Sequence, residues 1–352
     1  MDYKIIKTED DLKAERESWN QISAYMKDST PFQTWEWNYI WWKNNEPANS
    51  LFVIKAFEGK KVYGYAPIVV KDNRAEFIGG KDMDFGRFVV AEKEMVIIQG
   101  FVSLLLEQGY DLLLQEMASR NTQLHMVEKL LEDNKRHLFH KTTRAAYVEL
   151  DQYDSFENYF KLLSKSMRNK TIKVGLKKNL ILQKETISNE LMIEIKEIYA
   201  SRQEARVGES TIEWAIPVIQ EMNREGLLNI YVARDEKKAV GFLISMNYLN
   251  AQYIWLVAFR QEYKNCFPGQ LLFYQAIKDG FADGNVKVDF MRGDYDFKMR
   301  WECKIDTNYT VYLFHSSKNY WKHKIFFAIK PKVKKLIYKH SGLERIYRKY
   351  AK

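Results

Sequence analysis

Residues 288–302, VDFMRGDYDFKMRWE, concentrate side chains that can exchange protons and hold anions. Asp289, Asp294, Asp296 and Glu302 are the carboxylates of this stretch. A carboxylate acts as a general base near neutral pH only where burial raises its pKa. Asp289 lies in an otherwise apolar run and is the first expected base, with Asp294 and Lys298 as further expected catalytic residues. Arg292, Lys298 and Arg300, next to Tyr295 and Trp301, suit an anionic group. Just upstream, residues 264–270 read KNCFPGQ and place Pro268 and Gly269 where a helix can begin. The two cysteines, Cys266 and Cys303, cannot make a four-thiolate zinc site, and the six histidines show no metal-ligand spacing, so no metal is expected.

These residues need elements to position them. Residues 253–259 are apolar throughout, which predicts a strand covered on both faces. Leu272, Phe273, Ala276, Ile277 and Phe281 follow at helical spacing, with Gly280 and Gly284 closing the helix. Val286, Val288 and Phe290 alternate with Lys287, Asp289 and Met291 as in a second strand. A strand, crossover helix and strand make a parallel unit that binds ligands beyond the carboxyl ends of its strands. The helix start would offer backbone N–H groups to an anion such as a pyrophosphate.

FPGQLLFYQAIKDGF followed by VDFMRGDYDFKMRW resembles the second half of a GNAT-type acyltransferase domain, in particular the group related to CelD/BcsL cellulose-biosynthesis proteins. Fem-type aminoacyl transferases are more distant relatives. PFQTWEWNYIWW, DMDFGRFVV and LSKSMRNKTIKVGLKKN extend the resemblance over most of residues 30–315. It implies an α+β fold of tandem GNAT-like domains, with mixed, mostly antiparallel sheets flanked by helices. It also implies transfer of an acyl group from an acyl-CoA-type thioester to a sugar or amino-sugar precursor of a cell-surface polysaccharide. The donor would lie along Val257, over Lys264, Phe267, Pro268, Gly269, Gln270 and Leu271. Asp84, Arg168, Arg292, Tyr295, Arg300 and Trp301 are the expected acceptor contacts. KNCFPG carries a single glycine where the family's phosphate turn is glycine-rich. Two alternatives stand: aminoacyl transfer from charged tRNA, favoured by the basic run at residues 161–178, and an inactive scaffold at a membrane surface, favoured by this loop and the basic tail.

A chain of 352 residues is long enough for two domains, and the expected division is 1–150, 151–317 and a basic helical tail, 318–352. The net charge is +9, but the tail alone carries +11, which leaves −2 on residues 1–317. No apolar run reaches the roughly 20 residues of a membrane span, and the first residues lack the apolar core of a secretion signal. A cytoplasmic location is expected, with the cationic, apolar-rich tail attaching peripherally to the inner face of an anionic membrane. Lipid-linked or small sugar acceptors would be the partners, and tRNA only under the alternative.

In chain order, Thr8 and Asp11 start a helix through Met26. Phe32, Trp35, Trp37, Tyr39, Trp41 and Trp42 either stack on ligands or pack a core between domains. Residues 51–57, 62–70 and 75–78 read as a meander. Asp154 and Glu157 start a helix that carries Lys161, Lys165, Arg168, Lys170, Lys173, Lys177 and Lys178 without an acid. That run is a solvated face or a polyanion site. Ser210 and Glu213 form a capping box, and Arg202 and Arg206 before them could close over a substrate.

Overall fold

In the computed structural model, residues 1–132, 135–204, 212–293 and 295–338 are described, with side chains described as far as residue 201 before the second gap and residue 329 at the end. Asp294, Arg206, Ser210 and residues 339–352 lie outside the described residues, as does the Arg202 side chain. The chain forms two compact units: Met1–Thr143 with the segment beginning at Asp306, and Arg144–Ile305.

The first unit contains β1 (Asp2–Ile6), α1 (Glu9–Ala14), α2 (Arg16–Tyr25), α3 (Trp35–Asn45), β2 (Val53–Glu58), β3 (Lys61–Ala66), β4 (Ile68–Lys71), β5 (Arg74–Phe77), β6 (Val89–Val90), α4 (Glu94–Glu107), β7 (Asp111–Ala118), α5 (Thr122–Leu131) and the start of β8 (His137–Glu149). Thr8 caps α1 by accepting the Asp11 N–H, as its spacing predicts, but the helix breaks at Glu15. Pro67 divides the expected long strand into β3 and β4, which join different sheets, because proline cannot donate to a ladder. Trp35, Trp37, Trp41 and Trp42 are all buried, and Trp37 stacks on Trp41 and meets Phe32 edge-on. The aromatic cluster is thus packing inside this unit. One of its sheets has the order β1-β2-β3-β6.

The second unit continues with α6 (Phe156–Leu162), a π-helical turn (Met167–Ile172), α7 (Lys173–Leu176), β9 (Ile181–Lys184), α8 (Asn189–Glu204), α9 (Ile216–Arg224), β10 (Leu228–Asp235), β11 (Lys238–Tyr248), β12 (Ala251–Phe259), α10 (Pro268–Ala282), β13 (Lys287–Arg292), α11 (Asp296–Met299) and the start of β14 (Lys304–Leu313). Its sheet runs β8-β13-β12-β11-β10-β9, antiparallel except between β12 and β13. Period-two alternation sends Tyr231, Ala233 and Ile254 to the face covered by α6, the π turn and α10. Ile230, Val232, Leu256 and Ala258 go to the face under α8 and α9. The apolar run of β12 is therefore covered on both sides, as expected.

Three local expectations change. The basic helix is interrupted: Ser155, not Asp154, caps α6, which ends at Leu162, and the chain resumes as the π turn and α7. α9 starts at Ile216 with a proline in its first turn, later than the predicted box. β14 pairs antiparallel with β7, so the C-terminal strand and α12 (Ser317–Tyr338) belong with the first unit, where linear order assigned 306–317 to the second.

Candidate functional site

Parallel pairing of β12 with β13 covers only Ala251–Lys287, Gln252–Val288 and Tyr253–Asp289. Trp255 is the extra residue of a bulge, since Ile244 faces Leu256 and Ser245 faces Ile254 across β11. Beyond Tyr253 the two strands part. A cavity of about 600 Å³ lies between them, lined by Trp255, Leu256, Val257, Ala258 and Phe259 on one side and by Arg292, Tyr295, Phe297 and Lys298 on the other. Gln261, Lys264, Phe267, Gly269, Gln270 and Phe273 complete its wall.

α10 starts at this wall. Its N-cap, Phe267, has left-handed backbone (φ 58°, ψ 38°), a conformation that costs a non-glycine residue about 1 kcal/mol. Pro268 needs no partner for a missing N–H, and Gly269 leaves the first turn bare. A Cβ on Gly269 would lie 3.2 Å and 3.3 Å from two carbons of the Phe259 ring. Gln270 donates to the Phe297 carbonyl at 3.3 Å, while its buried Oε1 has no hydrogen-bond partner among the described residues. The site thus offers a bare helix terminus, an extended strand edge and a buried acceptor. A phosphorylated ligand with amide groups matches that set.

Asp289 and Lys298 are brought together with the bulge of β13 rather than with solvent. β13 shifts register against β8 between Asp289 and Arg292, and Met291 is left-handed at φ 61°. Such a bulge strands backbone groups that need partners. Asp289, fully buried, accepts the Met291 N–H at 2.9 Å, and its other oxygen is 3.4 Å from Lys287. Lys298 donates to the carbonyls of Phe290, Met291 and Arg292 at 2.5, 3.2 and 2.7 Å. Three carbonyls occupy the three donors of the ammonium. Asp289 does not line the cavity and accepts from the backbone of the bulge, while Lys298 lines the cavity with its ammonium held by those carbonyls. Asp294, the remaining expected catalytic residue, lies outside the described residues.

Of the expected donor contacts, Val257, Lys264, Phe267, Gly269 and Gln270 line the cavity, whereas Pro268 and Leu271 are buried behind it. Arg292 and Tyr295 also line it. Tyr295 stacks on Phe297 at 5.8 Å, and Gly293 makes room for that ring, since a Cβ there would come within 2.4 Å of it. The other expected acceptor contacts do not line this cavity. Trp301 is wholly buried in the core, where its carbonyl accepts from Tyr159. Arg300 donates to Thr171, Arg168 donates to the Leu163 carbonyl, and Asp84 is buried in the first unit. Sequence reasoning missed Trp255, Phe259, Phe273 and Phe297, because their apolar character reads as core. Burial also pushes the Cys303 thiol far up, and its Sγ donates to the Lys298 carbonyl, so it is a packing group.

The basic run borders this site. A Cβ on Gly175 of α7 would lie 3.1 Å from the Cys266 carbonyl and from Leu271, so α7 packs closely on the cavity loop. Lys161, Lys165, Lys170, Lys173, Lys177 and Lys178 are exposed.

Residues 189–299 match the family described as an acetyltransferase (GNAT) domain. The chain carries an acyltransferase domain of the GNAT type. Acyl-CoA is the donor that this fold generally uses, and no metal-binding group of His, Cys, Asp and Glu occurs among the described residues. The matched segment holds β12, α10 and β13, and with them the parted strands and the helix start. No curated protein sequence matches the chain significantly. Among solved structures, FemX is similar over 94% of this chain and 100% of its own, at 11% identity and a TM-score of 0.64. The C-terminal domain of a putative lysylphosphatidylglycerol synthetase from Agrobacterium fabrum matches over 90% and 96%, at 11% identity and 0.58. A tandem GNAT protein from the clavulanic acid biosynthesis pathway matches over 88% and 97%, at 11% identity and 0.53. At such identities the likeness is one of fold. The architecture is α+β, of tandem GNAT type.

Proposed function

We propose that the protein moves an acyl group from an acyl-CoA-type thioester to an amine or hydroxyl of a sugar or amino-sugar precursor of a cell-surface polysaccharide. The observation that carries the donor half is the parting of β12 and β13 onto a cavity into which α10 also starts. The amide-bearing arm of the donor adds along the β12 edge near Val257, and its pyrophosphate sits on the first turn of α10 over Gly269, with Lys264 at the wall. The acceptor nitrogen or oxygen attacks the thioester carbonyl, the oxyanion collapses, the thiolate leaves, and the acceptor proton passes to a base. Asp294, the sequence neighbour of both Gly293 and Tyr295, is the carboxylate proposed for that proton. The acceptor class rests on the CelD/BcsL resemblance alone.

A second reading, aminoacyl transfer from charged tRNA, is favoured by the FemX-like fold and by exposed lysines beside the cavity loop. Calorimetric titration with acetyl-CoA and with charged tRNA separates the two. The first reading expects saturable acetyl-CoA binding that salt weakens little. Binding of charged tRNA alone would overturn it.

A further inference from the structure

α12 has two unlike sides. His323 and Phe327 face the first unit: Phe327 stacks on His140 at 4.9 Å and meets Tyr312 at 5.2 Å, and His323 lies 4.9 Å from Phe314. Asn319 joins them by donating to Asp111. These contacts fix the rotation of the helix about its axis. The side turned outward carries Trp321, Ile325 and Ile329, which are 55%, 53% and 48% exposed and follow one another at four-residue spacing. Phe326, 52% exposed, flanks that row. Exposed Lys318, Lys322 and Lys324 stand among these apolar side chains, with the Lys324 ammonium 4.9 Å over the Trp321 ring.

An ordinary solvated helix face has no continuous row of large apolar residues, and a phosphate-binding face has no need of one. Aliphatic and indole groups alternating with lysines match a surface that is apolar below and anionic above. Charge agrees, since residues 318–352 carry +11 while the rest of the chain carries −2. No described helix is long and apolar enough to cross a membrane, so such a helix would lie in the surface plane.

We propose that the outward face of α12 docks the protein onto an anionic lipid bilayer, with Trp321, Ile325 and Ile329 entering the headgroup boundary and the lysines meeting lipid phosphates. The row is presented by a helix already held in place, so little ordering is lost on docking. The inference stands apart from the acyl-transfer reading, because none of these residues belongs to the cavity.

The test is co-sedimentation of the full chain with phosphatidylcholine vesicles, with and without phosphatidylglycerol, alongside acyl transfer to a soluble acceptor. The expected result is pelleting only with the anionic vesicles, reversed by salt and not by free glycerophosphate. Lys322→Gln with Lys324→Gln should weaken partitioning about thirty-fold, near five-fold for each charge. Ile325→Asp should abolish it while leaving the melting temperature and the soluble-acceptor rate unchanged. Pelleting that is indifferent to Ile325→Asp, displacement by glycerophosphate, or retention on RNA but not on vesicles would overturn the proposal. So would a dimer in sedimentation velocity that Ile325→Asp dissociates, since a second copy would then own this face.

Discussion

Gly269→Val is the sharpest test of where the donor sits. A Cβ at this position already approaches the Phe259 ring to 3.2 Å, so alanine asks the ring to move by a few tenths of an ångström. Valine adds two methyl groups beside the first turn of α10, whose unpaired N–H groups are the proposed phosphate contacts. An anion at a helix N-terminus is worth about 0.3–2 kcal/mol, and a charge-assisted hydrogen bond about 1.5–3 kcal/mol. Losing the terminus and one such bond removes about 2–5 kcal/mol, or roughly 30- to 5,000-fold in the donor dissociation constant. The fold should tolerate the change, because Gly269 lines the cavity and is not packed in the core. Calorimetric titration with CoA and initial rates at varied donor concentration give the two readouts. The expectation is a raised donor Kd and KM, an unchanged acceptor KM and a similar melting temperature, with Gly269→Ala intermediate. CoA affinity equal to the parent's would refute the placement. A variant that has unfolded would move the question to Gly269→Ala.

Lys298→Met should lower stability by about 3 kcal/mol, since three inward carbonyls lose their donor, and should raise donor KM as the wall slackens. A large kcat loss at unchanged melting temperature would instead make Lys298 catalytic, and Asp289→Asn is read in the same way. Arg234, which forks onto Glu185 at 2.6 and 2.7 Å, holds that carboxyl below its ordinary range. A lowered folded pKa contributes stability above the unfolded value of about 4.3 and loses it as pH falls through the folded one. Urea midpoints of Arg234→Gln should therefore lie below the parent's at neutral pH and converge with them in acid; parallel curves would refute this. Titration with acetyl-CoA should give one site per chain, for the reason argued below, and two sites would contradict it.

Where local chemistry acts through the backbone, the sequence was readable. The helix after Pro268, the strands flanking it and the loop at residues 264–270 follow from proline, glycine and apolar spacing. The roles of Asp289 and Lys298 were not readable, because they depend on a bulge. Period-two alternation sets Asp289 opposite Val288 and Phe290, as if on the polar side of a half-buried strand. The sheet instead continues on both sides of β13, to β12 and to β8, and Asp289 is wholly buried. Residue type gave the charge, and only the register shift gave its partner. The aromatic lining was hidden for a related reason, since a strand that leaves its neighbour exposes the same residues that a fully paired strand would bury.

The two units show how one arrangement of strands comes to hold a ligand in one case and not in the other. In the first unit β5 and β7 also pair in parallel over three positions, Arg74–Asp111, Ala75–Leu112 and Glu76–Leu113. β7 also carries a bulge just beyond, at left-handed Glu116. Here the chain fills the space itself. Gly86 donates to the Glu116 carbonyl at 3.0 Å, and a Cβ on Gly86 would lie 2.1 Å from the Gln115 carbonyl, so only glycine allows so close an approach. Gln33 holds the same loop by donating to the Phe85 carbonyl, and Gln115 donates to Glu76 across the end of the ladder. Beyond Leu113 the β7 edge thus receives the loop at Gly86, whereas beyond Tyr253 in the second unit the β12 edge faces a cavity. A donor would have to displace a hydrogen-bonded loop from the first unit, but would meet an open wall in the second. That difference in backbone satisfaction, rather than any difference in catalytic side chains, is why we expect a single donor for each chain.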